Sequence, residues 1–300
     1  MKFGSVAIVG KPNVGKSTFI NSLMNKTVVI SSKKPQTTRN RIEIVYKDND
    51  SMIIINDTPG LHSSKNKLDM FLNSQAKQSL KNCDLVAAFF DVSRPLDEED
   101  KRIISSFESF KLDKVLLVLN KIDLVDNESI EKMKKEIESK FHFSNSFKIS
   151  SVTKDGIDKV ISWVKKNLEE YEGDESDLLN IEKQHNQKYD SFFISELIRE
   201  IIINKFQQEI PYSVAVVIDK LEYSKQRNLL NFSYSIIVEK ESQKPIVIGK
   251  GGRNVKEINI AIREKLGEFY DCKIFTESFV KIKKDWRDNN EMIKEFGYKK

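Results

Sequence analysis

Short apolar runs alternate with amphipathic segments through the first 170 residues of the chain. The apolar runs have the length of β-strands, and the segments between them repeat their hydrophobic residues at helical spacing. This alternation of strand and helix predicts an α/β domain with a doubly wound parallel sheet. Ligands of such a domain bind beyond the carboxyl ends of the strands, so the residues that follow each apolar run are candidates for chemistry.

The hydrophobic pattern also predicts where each element of this first domain lies. Residues 41–46 alternate apolar and polar side chains, which predicts an edge strand that forms a hairpin with the next strand through a turn at 47–50. The predicted strands cover residues 5–9, 41–46, 51–56, 84–90, 114–119 and 147–150. The predicted helices cover residues 18–24, 67–80, 96–110, 128–141 and 157–168.

The pattern changes near residue 170. Residues 169–177 are acidic and rich in turn formers, which predicts the start of a linker, with an acidic loop inside one domain as the alternative. A helix over 189–207, strands over 213–223 and 228–240, a glycine-rich loop, a helix and a strand over 272–283 then predict an α+β domain. The predicted boundaries are 1–170 for the first domain, 171–190 for the linker, 191–284 for the second domain and 285–300 for a C-terminal tail.

Length and composition set limits on this picture. A chain of 300 residues is long enough for two domains, and a net charge of +5 is too small to identify a partner. Cys83 and Cys272 lie far apart without metal-ligand spacing, so we expect free thiols in a cytosolic protein. The first strand begins almost at the start of the chain, which argues against a signal peptide, and the apolar runs are too short to predict a membrane span.

The loop after the first predicted strand has the pattern G-x-x-x-x-G-K-S, from Gly10 to Ser17. Its glycines allow the backbone to curl so that several N–H groups point at one anion. Lys16 supplies a positive charge for the β- and γ-phosphates of a nucleotide, and Ser17 offers a hydroxyl to Mg²⁺ at the start of a helix. The nucleotide-binding residues predicted in this loop are Gly10, Lys11, Pro12, Asn13, Val14, Gly15, Lys16, Ser17 and Thr18.

Two further segments are predicted to complete the phosphate and metal site. Asp57 ends a buried strand and can hold Mg²⁺ through water, while the N–H of Gly60 can meet the γ-phosphate. Thr38 lies in a polar segment and can reach both Mg²⁺ and the γ-phosphate, which orders its loop only while that phosphate is present. The predicted metal ligands are Ser17, Thr38 and Asp57. The nucleotide-binding residues predicted here are Asp57, Thr58, Pro59, Gly60 and Leu61.

The segment Asn120-Lys121-Ile122-Asp123 follows another buried strand and indicates which base is bound. The carboxylate of Asp123 can accept hydrogen bonds from the N1–H and the amino group of guanine, whereas adenine presents an acceptor at that ring nitrogen. The segment Ser150-Ser151-Val152 follows the last strand and can brace the base through backbone N–H groups. We therefore predict that Asn120, Lys121, Asp123, Ser150, Ser151 and Val152 bind GTP or GDP; an ATP-dependent kinase or transport ATPase is the alternative.

The glycine-rich loop of the second domain has the pattern G-x-x-G between apolar segments. Such a loop is typical of KH modules, in which it clamps the backbone of single-stranded nucleic acid. Residues 244–263 include five basic and one acidic residue, a local net charge of +4 that suits phosphate contact. The predicted RNA-binding residues are Gly249, Lys250, Gly251, Gly252, Arg253 and Lys256.

These motifs together resemble a translation-factor-type GTPase, and a GTP-binding domain followed by a KH domain is similar to the Era family of GTPases. The resemblance covers nearly the whole chain. Besides the motifs above, it rests on Gln36-Thr37-Thr38-Arg39, Leu61-His62, Glu209-Ile210-Pro211-Tyr212-Ser213-Val214 and Phe296-Gly297-Tyr298. Family members usually carry Ser-Ala where this chain has Ser150-Ser151, and the KH loop here has an extra inner glycine, Gly251.

The resemblance implies a cytoplasmic bacterial factor for assembly of the small (30S) ribosomal subunit. It implies GTP-dependent binding near the 3′ end of 16S ribosomal RNA and a loose peripheral association with the inner membrane. We expect a monomer. The alternative is a passive KH RNA-binding protein whose first domain is only structural, and the intact Lys16, Ser17, Asp57 and Asp123 argue against it.

Hydrolysis is predicted to be slow. Many small GTPases place a glutamine just after the glycine of the Asp-x-x-Gly motif to orient the attacking water, and here that position is Leu61. Asn13 resembles the asparagine that potassium-activated relatives use to hold K⁺, with a simple loop hydrogen bond as the alternative role. We expect no covalent nucleophile, and we expect His62 at the surface. The predicted catalytic residues are Asn13, Lys16, Thr38 and Gly60, with Mg²⁺ and K⁺ as cofactors.

The C-terminal residues 281–300 carry seven basic and four acidic side chains, a net charge of +3. Around Trp286, Met292, Ile293 and Phe296 they predict a short amphipathic helix. This helix is expected either to lie on an anionic membrane surface or to pack on the KH domain.

Overall fold

The computed structural model describes residues 1–26, 28–29, 39, 42–60, 64–109, 114–174, 176–180 and 190–298. The chain divides into two compact units. The first unit comprises residues 1–65 and 69–186, and the second comprises residues 66–68 and 187–300.

The first unit is a largely parallel sheet with helices on both faces. Its strands are β1 (Lys2–Val9), β2 (Ile42–Lys47), β3 (Ser51–Asp57), β4 (Leu85–Asp91), β5 (Val115–Asn120), β6 (Asn145–Ile149) and β7 (Glu169–Glu170). Its helices are α1 (Lys16–Met24), α2 (Lys67–Lys81), α3 (Glu98–Ser109), α4 (Asn127–Glu138) and α5 (Ile157–Asn167). The strand order is β2-β3-β1-β4-β5-β6, in which only β2 runs antiparallel, and β7 pairs with the start of β1.

Alternate residues of β1 contribute to two separate apolar cores, one on each face of the sheet. Val6 and Ile8 pack in one core with Phe19 of α1, whereas Ala7 and Val9 belong to a second core. A strand buried on both faces in this way is typical of a sheet that helices cover on both sides. The prediction of a doubly wound α/β fold is confirmed, and β2 is the edge strand that its alternating pattern indicated.

The second unit is an α+β unit built on a three-stranded sheet. Its strands are β8 (Ala215–Ser224), β9 (Leu229–Val238) and β10 (Lys273–Ile282), in the order β10-β9-β8 with β9 and β10 parallel. Its helices are α6 (Ser191–Lys205), α7 (Ile210–Ser213), α8 (Gln243–Ile248), α9 (Arg253–Tyr270) and α10 (Asn290–Glu295). The longest helix, α9, buries a stripe of residues spaced four apart: Ile258, Ile262, Leu266 and Tyr270. The predicted α+β class is confirmed.

Two short helices in this unit are absent from the predicted element order. The predicted strand over 213–223 begins after α7, and the apolar segment before the glycine-rich loop forms α8. Helix α8 has six residues and includes Pro245, so it is too short to show helical periodicity in the sequence. Residues 176–180, inside the predicted linker, are also helical. The predicted domain boundaries stay predictions.

The C-terminal tail packs on the second unit. Trp286 is fully buried, and its Nε1–H donates to the backbone carbonyl of Ser213 at 2.9 Å. The rings of Phe296 and Tyr298 contact Trp286, with centroid distances of 5.5 and 6.0 Å. Ile293 is buried as well. Of the two roles expected for the tail, packing is the one observed: Trp286, Ile293 and Phe296 are buried, and Met292 is half-buried.

Within the residues that the model describes, no helix combines the length and the apolar character that a membrane crossing requires.

Candidate nucleotide site and nucleic-acid interface

The predicted phosphate loop connects β1 to α1 through three residues with positive φ. Gly10, Asn13 and Gly15 have φ values of 151°, 66° and 101°. A Cβ at Gly10 would lie 2.5 Å from the carbonyl oxygen of Phe89, and one at Gly15 would lie 2.1 Å from Nδ2 of Asn120. Both glycines of the motif are therefore required by close packing as well as by backbone conformation. Between them, Val14 is buried and Asn13 is exposed.

Lys16 is the buried cation of this loop. Its ammonium donates to the carbonyl oxygens of Gly10 and Lys11, at 3.1 and 2.9 Å. Burial lowers the pKa of Lys16 to about 8, and the negative charge of Asp57 offsets only part of this effect. An anion in the loop would favour the charged ammonium, because a nearby opposite charge stabilises the ionised form. Thr18 follows in the first turn of α1.

Two of the predicted metal ligands lie together. The hydroxyl of Ser17 donates to Oδ2 of Asp57 at 3.0 Å, and Asp57 is the buried last residue of β3. A hydroxyl oxygen and a carboxylate oxygen are the hard ligands that Mg²⁺ prefers. The donor set therefore fits this ion.

The segment from Asp57 to Gly60 is attached to β1 and to the phosphate loop. Thr58 donates its hydroxyl hydrogen to the carbonyl oxygen of Ile8 at 2.7 Å, and its side chain is fully buried. Gly60 approaches Pro12 so closely that a Cβ would lie 2.5 Å from the Pro12 backbone nitrogen. A side chain at Gly60 would separate this segment from the loop that it is predicted to serve.

Asn120 joins the phosphate loop to the loop after β6. Its Nδ2 donates to the carbonyl oxygen of Val14 at 2.7 Å, and its Oδ1 accepts from the N–H and the hydroxyl of Ser151, both at 3.0 Å. Ser22 of α1 donates to the carbonyl oxygen of Ser151 at 2.6 Å. Asn120 and Ser151 are both buried. Asn120 therefore holds the two loops in register, a structural role that its motif alone does not reveal.

The N–H groups predicted to brace the base are partly used within the protein. The N–H of Ser150 donates to the carbonyl oxygen of Asp155 at 3.0 Å, and that of Ser151 donates to Asn120 as described. Val152, the third member, has 74% of its surface exposed. Asp123, in the 3-10 turn at Ile122–Leu124, is also exposed. Asp123 and Val152 are thus the exposed members of the two segments.

Asp91 is a candidate residue of the nucleotide site that the sequence motifs did not indicate. It is the last residue of β4, is buried, and pairs in register with Asn120. Its carboxylate accepts a hydrogen bond from Nζ of Lys121 at 2.5 Å. The one signal in the sequence is its position directly at the end of a buried strand, the same position that made Asp57 a candidate.

Lys11 is held by the start of α3. Its ammonium pairs with Asp97 and lies 3.5 Å from a carboxylate oxygen of Glu99. Asp97 in turn accepts from the N–H groups of Glu99 and Asp100, at 2.9 and 3.2 Å. The side chain of Lys11 is therefore engaged by residues at the start of α3, and its predicted nucleotide contact stays a prediction.

Several predicted positions lie outside the described residues: Gln36, Thr37, Thr38, Leu61 and His62. Their predicted roles stay predictions. Arg39, at the end of the first of these segments, is described and is fully buried.

The predicted RNA-binding loop connects α8 to α9. Gly249, Gly251 and Gly252 have φ values of 76°, 61° and 78°. A Cβ at Gly249 would lie 2.8 Å from the side chain of Asn254, whereas one at Gly251 or Gly252 would meet nothing within 4 Å. The outer glycine on the α8 side is thus required by packing, and the other two leave open space beside the backbone.

Three basic side chains, those of Lys250, Arg253 and Lys256, are exposed around this loop. Arg253 also lies 3.4 Å from Glu257 one turn further along α9. The loop leads directly into the N-terminus of α9, where the helix dipole favours negative charge. All six predicted RNA-binding residues are therefore together at one end of this helix.

A phosphate loop at the carboxyl edge of a doubly wound sheet, followed by a unit with an exposed GxxG loop, defines a P-loop protein with a KH-type module. A family model described as 50S ribosome-binding GTPase matches residues 5–121, and one described as KH domain matches residues 209–287. GTPase Era of Ureaplasma urealyticum serovar 10 is 40% identical over 299 residues, which covers 99% of this chain and 98% of that relative. The chain belongs to the GTPase Era family.

Solved structures support the same assignment over the whole chain. A variant of Aquifex aeolicus Era bound to GDP and AlF4⁻ matches with a TM-score of 0.89 and 32% identity over 99% of both chains. Era in complex with MgGDPNP and nucleotides 1506–1542 of 16S ribosomal RNA matches with a TM-score of 0.88 and 32% identity. The resemblance stated from the sequence is confirmed, and the chain is a GTPase. An ATP-dependent enzyme and a first domain without activity are therefore the wrong alternatives.

Proposed function

We propose that this GTPase binds 16S ribosomal RNA near its 3′ end under the control of GTP and acts in assembly of the small (30S) ribosomal subunit. The observation that carries the proposal is the likeness, over 99% of both chains, to the Era crystallised with MgGDPNP and nucleotides 1506–1542 of 16S ribosomal RNA. The exposed loop from Gly249 to Gly252 supplies on this chain the backbone-approach site that such binding needs.

We assign the phosphates of GTP to the loop from Gly10 to Thr18 and to the ammonium of Lys16. Ser17 and Asp57 would hold Mg²⁺, with Thr38 as the third protein ligand. When bound, this ion neutralises charge that develops on the β- and γ-phosphates. The protein's own contribution is to keep these groups in fixed positions before the nucleotide arrives, so that little reorganisation is needed during the reaction.

We assign the guanine base to the carboxylate of Asp123 and to the backbone beside Val152. These are the exposed members of their segments, and the buried Asn120 sets their separation. Gly60, held against Pro12, is assigned to the γ-phosphate. The site then distinguishes GTP from ATP at the base and GTP from GDP at the segment around Gly60.

RNA crosslinked to the protein in lysates of bacterial cells tests the proposed target. We expect enrichment of the 3′-terminal region of 16S ribosomal RNA. We also expect that enrichment to increase when lysates receive a non-hydrolysable GTP analogue before crosslinking. Equal recovery of unrelated RNAs would contradict the proposal. Recovery from free 16S RNA but not from 30S precursors would contradict the assembly role.

We propose K⁺ as a second cation of the reaction, held by Asn13. At equal ionic strength, GTP turnover is expected to rise roughly tenfold when K⁺ replaces Na⁺, because a cation beside the phosphates offsets the developing charge. Asn13→Ala should abolish this difference. Asn25→Ala is the matched control, since Asn25 is also an exposed asparagine with positive φ but lies at the end of α1. Equal rates of the parent protein in both salts would remove K⁺ from the mechanism.

We propose that the protein works as a monomer in the cytoplasm and that any contact with the inner membrane is electrostatic. The side chains of Lys281 and Lys284 are 49% and 73% exposed, whereas Trp286 and Phe296 are buried. Binding through exposed lysines is weak and is screened by salt. Flotation with anionic vesicles should therefore be lost as salt is raised, and flotation that persists in high salt would contradict this contact.

A further inference from the structure

Asp91 is a buried acidic residue that lies outside the recognised motifs. Its side chain is only 8% exposed, at the carboxyl edge of the sheet. One carboxylate oxygen accepts from the N–H and the hydroxyl of Ser93, at 2.9 and 2.6 Å. The other accepts from Nζ of Lys121 at 2.5 Å. Burial would raise the pKa of Asp91, but these hydrogen bonds lower it, so the group is a carboxylate at neutral pH.

Lys121 is the residue through which this carboxylate can act on ligand binding. It has a φ of 72°, a left-handed conformation that is uncommon for a lysine. The strand ends just before it at Asn120, and the 3-10 turn that carries Asp123 begins just after it. The backbone at Lys121 therefore sets the direction in which the base-binding turn leaves the sheet.

The ion pair between Asp91 and Lys121 fixes the direction of the base-binding turn from the neighbouring strand, β4. Asp91 pairs in register with Asn120, and the N–H of Val92 donates to the carbonyl oxygen of Asn120 at 3.0 Å. The backbone ladder holds the residue before Lys121, and the carboxylate holds the end of the Lys121 side chain. A long side chain anchored at both ends has few conformations left to lose when a ligand binds.

We propose that Asp91 is a positioning residue for the guanine nucleotide, acting through Lys121 to hold the base-binding turn in its bound geometry. The inference rests on the proposed assignment of Asp123 to the base. Asp91 lies at the end of β4, whereas Asp123 follows β5, so the positioning role and the base assignment can fail separately.

The test is the dissociation rate of a fluorescent GDP analogue chased with excess GDP. Asp91→Asn keeps the shape and the acceptor for Ser93 but removes the charge that holds Lys121. We expect dissociation about tenfold faster, because a charge-assisted hydrogen bond to a largely buried carboxylate is lost.

Asp48→Asn is a closely matched control. Like Asp91, Asp48 accepts hydrogen bonds from a lysine, Lys165, and from the N–H and hydroxyl of one serine, Ser51; it also accepts from the hydroxyl of Tyr46 and the N–H of Asp50. It lies in the turn between β2 and β3, at the amino end of β3, whereas the site lies at the carboxyl ends of the parallel strands. We expect Asp48→Asn to lower the melting temperature about as much as Asp91→Asn does, but to release GDP at the parent rate. An equal acceleration by both variants would mean that Asp91 contributes only to stability, and the inference would be wrong.

A double-mutant cycle tests whether the effect passes through Lys121. If it does, Asp91→Asn added to Lys121→Gln should release GDP no faster than Lys121→Gln alone. Additive effects would contradict the proposed route. Asp123→Asn measured in parallel distinguishes the positioning role of Asp91 from the assignment of Asp123 to the base. If Asp123→Asn weakens GDP and Asp91→Asn does not, only the positioning role fails. If Asp123→Asn has no effect, the assignment of the base site fails instead.

Discussion

Asp123→Asn is expected to weaken GTP binding at least about 100-fold and to create binding of xanthosine triphosphate. In the proposed contact the carboxylate would accept from two donors on guanine, and the substituted amide would present a donor where one of them lies. Xanthine has a carbonyl in place of the amino group, so its edge matches the amide. The mutated side chain is exposed in the 3-10 turn, so the change does not disturb a core.

Calorimetric titration of nucleotide-free protein with GTP, XTP and ATP measures this change. Asp126→Asn is the control, because Asp126 is an exposed carboxylate three residues further along that caps α4 through the N–H of Ser129. Because asparagine is about as good a helix N-cap as aspartate, this variant should change neither helix stability nor base preference. A variant at position 123 that binds GTP as tightly as the parent would show that another residue recognises the base.

The second large effect expected is a coupling between nucleotide and RNA. We hypothesise that GTP tightens RNA binding by about 5- to 150-fold relative to GDP, a coupling free energy of about 1–3 kcal/mol, and that RNA tightens GTP by the same factor. The motivation is the presence in one chain of a segment around Gly60 that we assign to the γ-phosphate and of a separate unit with a GxxG loop. A ligand can shift the second unit only if the two nucleotide states differ in their contacts with it.

Two variants test the RNA-binding side and the nucleotide-binding side of this coupling separately. Gly252→Asp places a charge where a phosphate must approach, and a side chain there has open space within 4 Å. Aspartate is among the residues that tolerate the positive φ at this position. We expect loss of RNA binding with unchanged intrinsic GTP affinity. Thr38→Ala should keep RNA affinity at the GDP level whichever nucleotide is present.

The measurement is RNA affinity at one fixed salt concentration, with GDP and with a non-hydrolysable GTP analogue. Gln226→Asp is the control for Gly252→Asp, because it adds the same charge at an exposed position in the turn between β8 and β9. Identical affinities of the parent with both nucleotides would mean that the two units work independently, and the switch hypothesis would have to be abandoned.

The sequence predicted most of the first unit because its chemistry is local. A buried parallel strand is a run of apolar residues. The phosphate loop follows such a run, Asp57 is the last residue of one, and Asp123 lies three residues after the end of another. The roles that the sequence did not reveal depend on pairs distant in the chain. The link from Lys11 to Asp97 and the bond from Asn120 to Val14 join residues 86 and 106 positions apart. A pattern read along one segment cannot show such a link.

Short elements and single residues were the other omissions. Helix α8 was missed because six residues that include a proline have no measurable period. Asp91 was missed because a single carboxylate at a strand end has many structural uses, and only its contact with Lys121 distinguishes it. The alternation of apolar residues in β2, by contrast, was enough to place that strand at the edge. Most of its residues are partly or fully exposed, whereas those of its neighbour β3 are almost all buried.

The burial of Trp286 has a practical consequence for spectroscopy. The chain contains two tryptophans, and the other, Trp163, packs against the core of the first unit. Each unit therefore carries one tryptophan. In a Trp163→Phe variant all tryptophan emission comes from the second unit, and the stacked ring of Tyr298 makes that emission sensitive to the docking of the tail. The unfolding of the second unit can thus be followed by itself in the intact chain, without an added label.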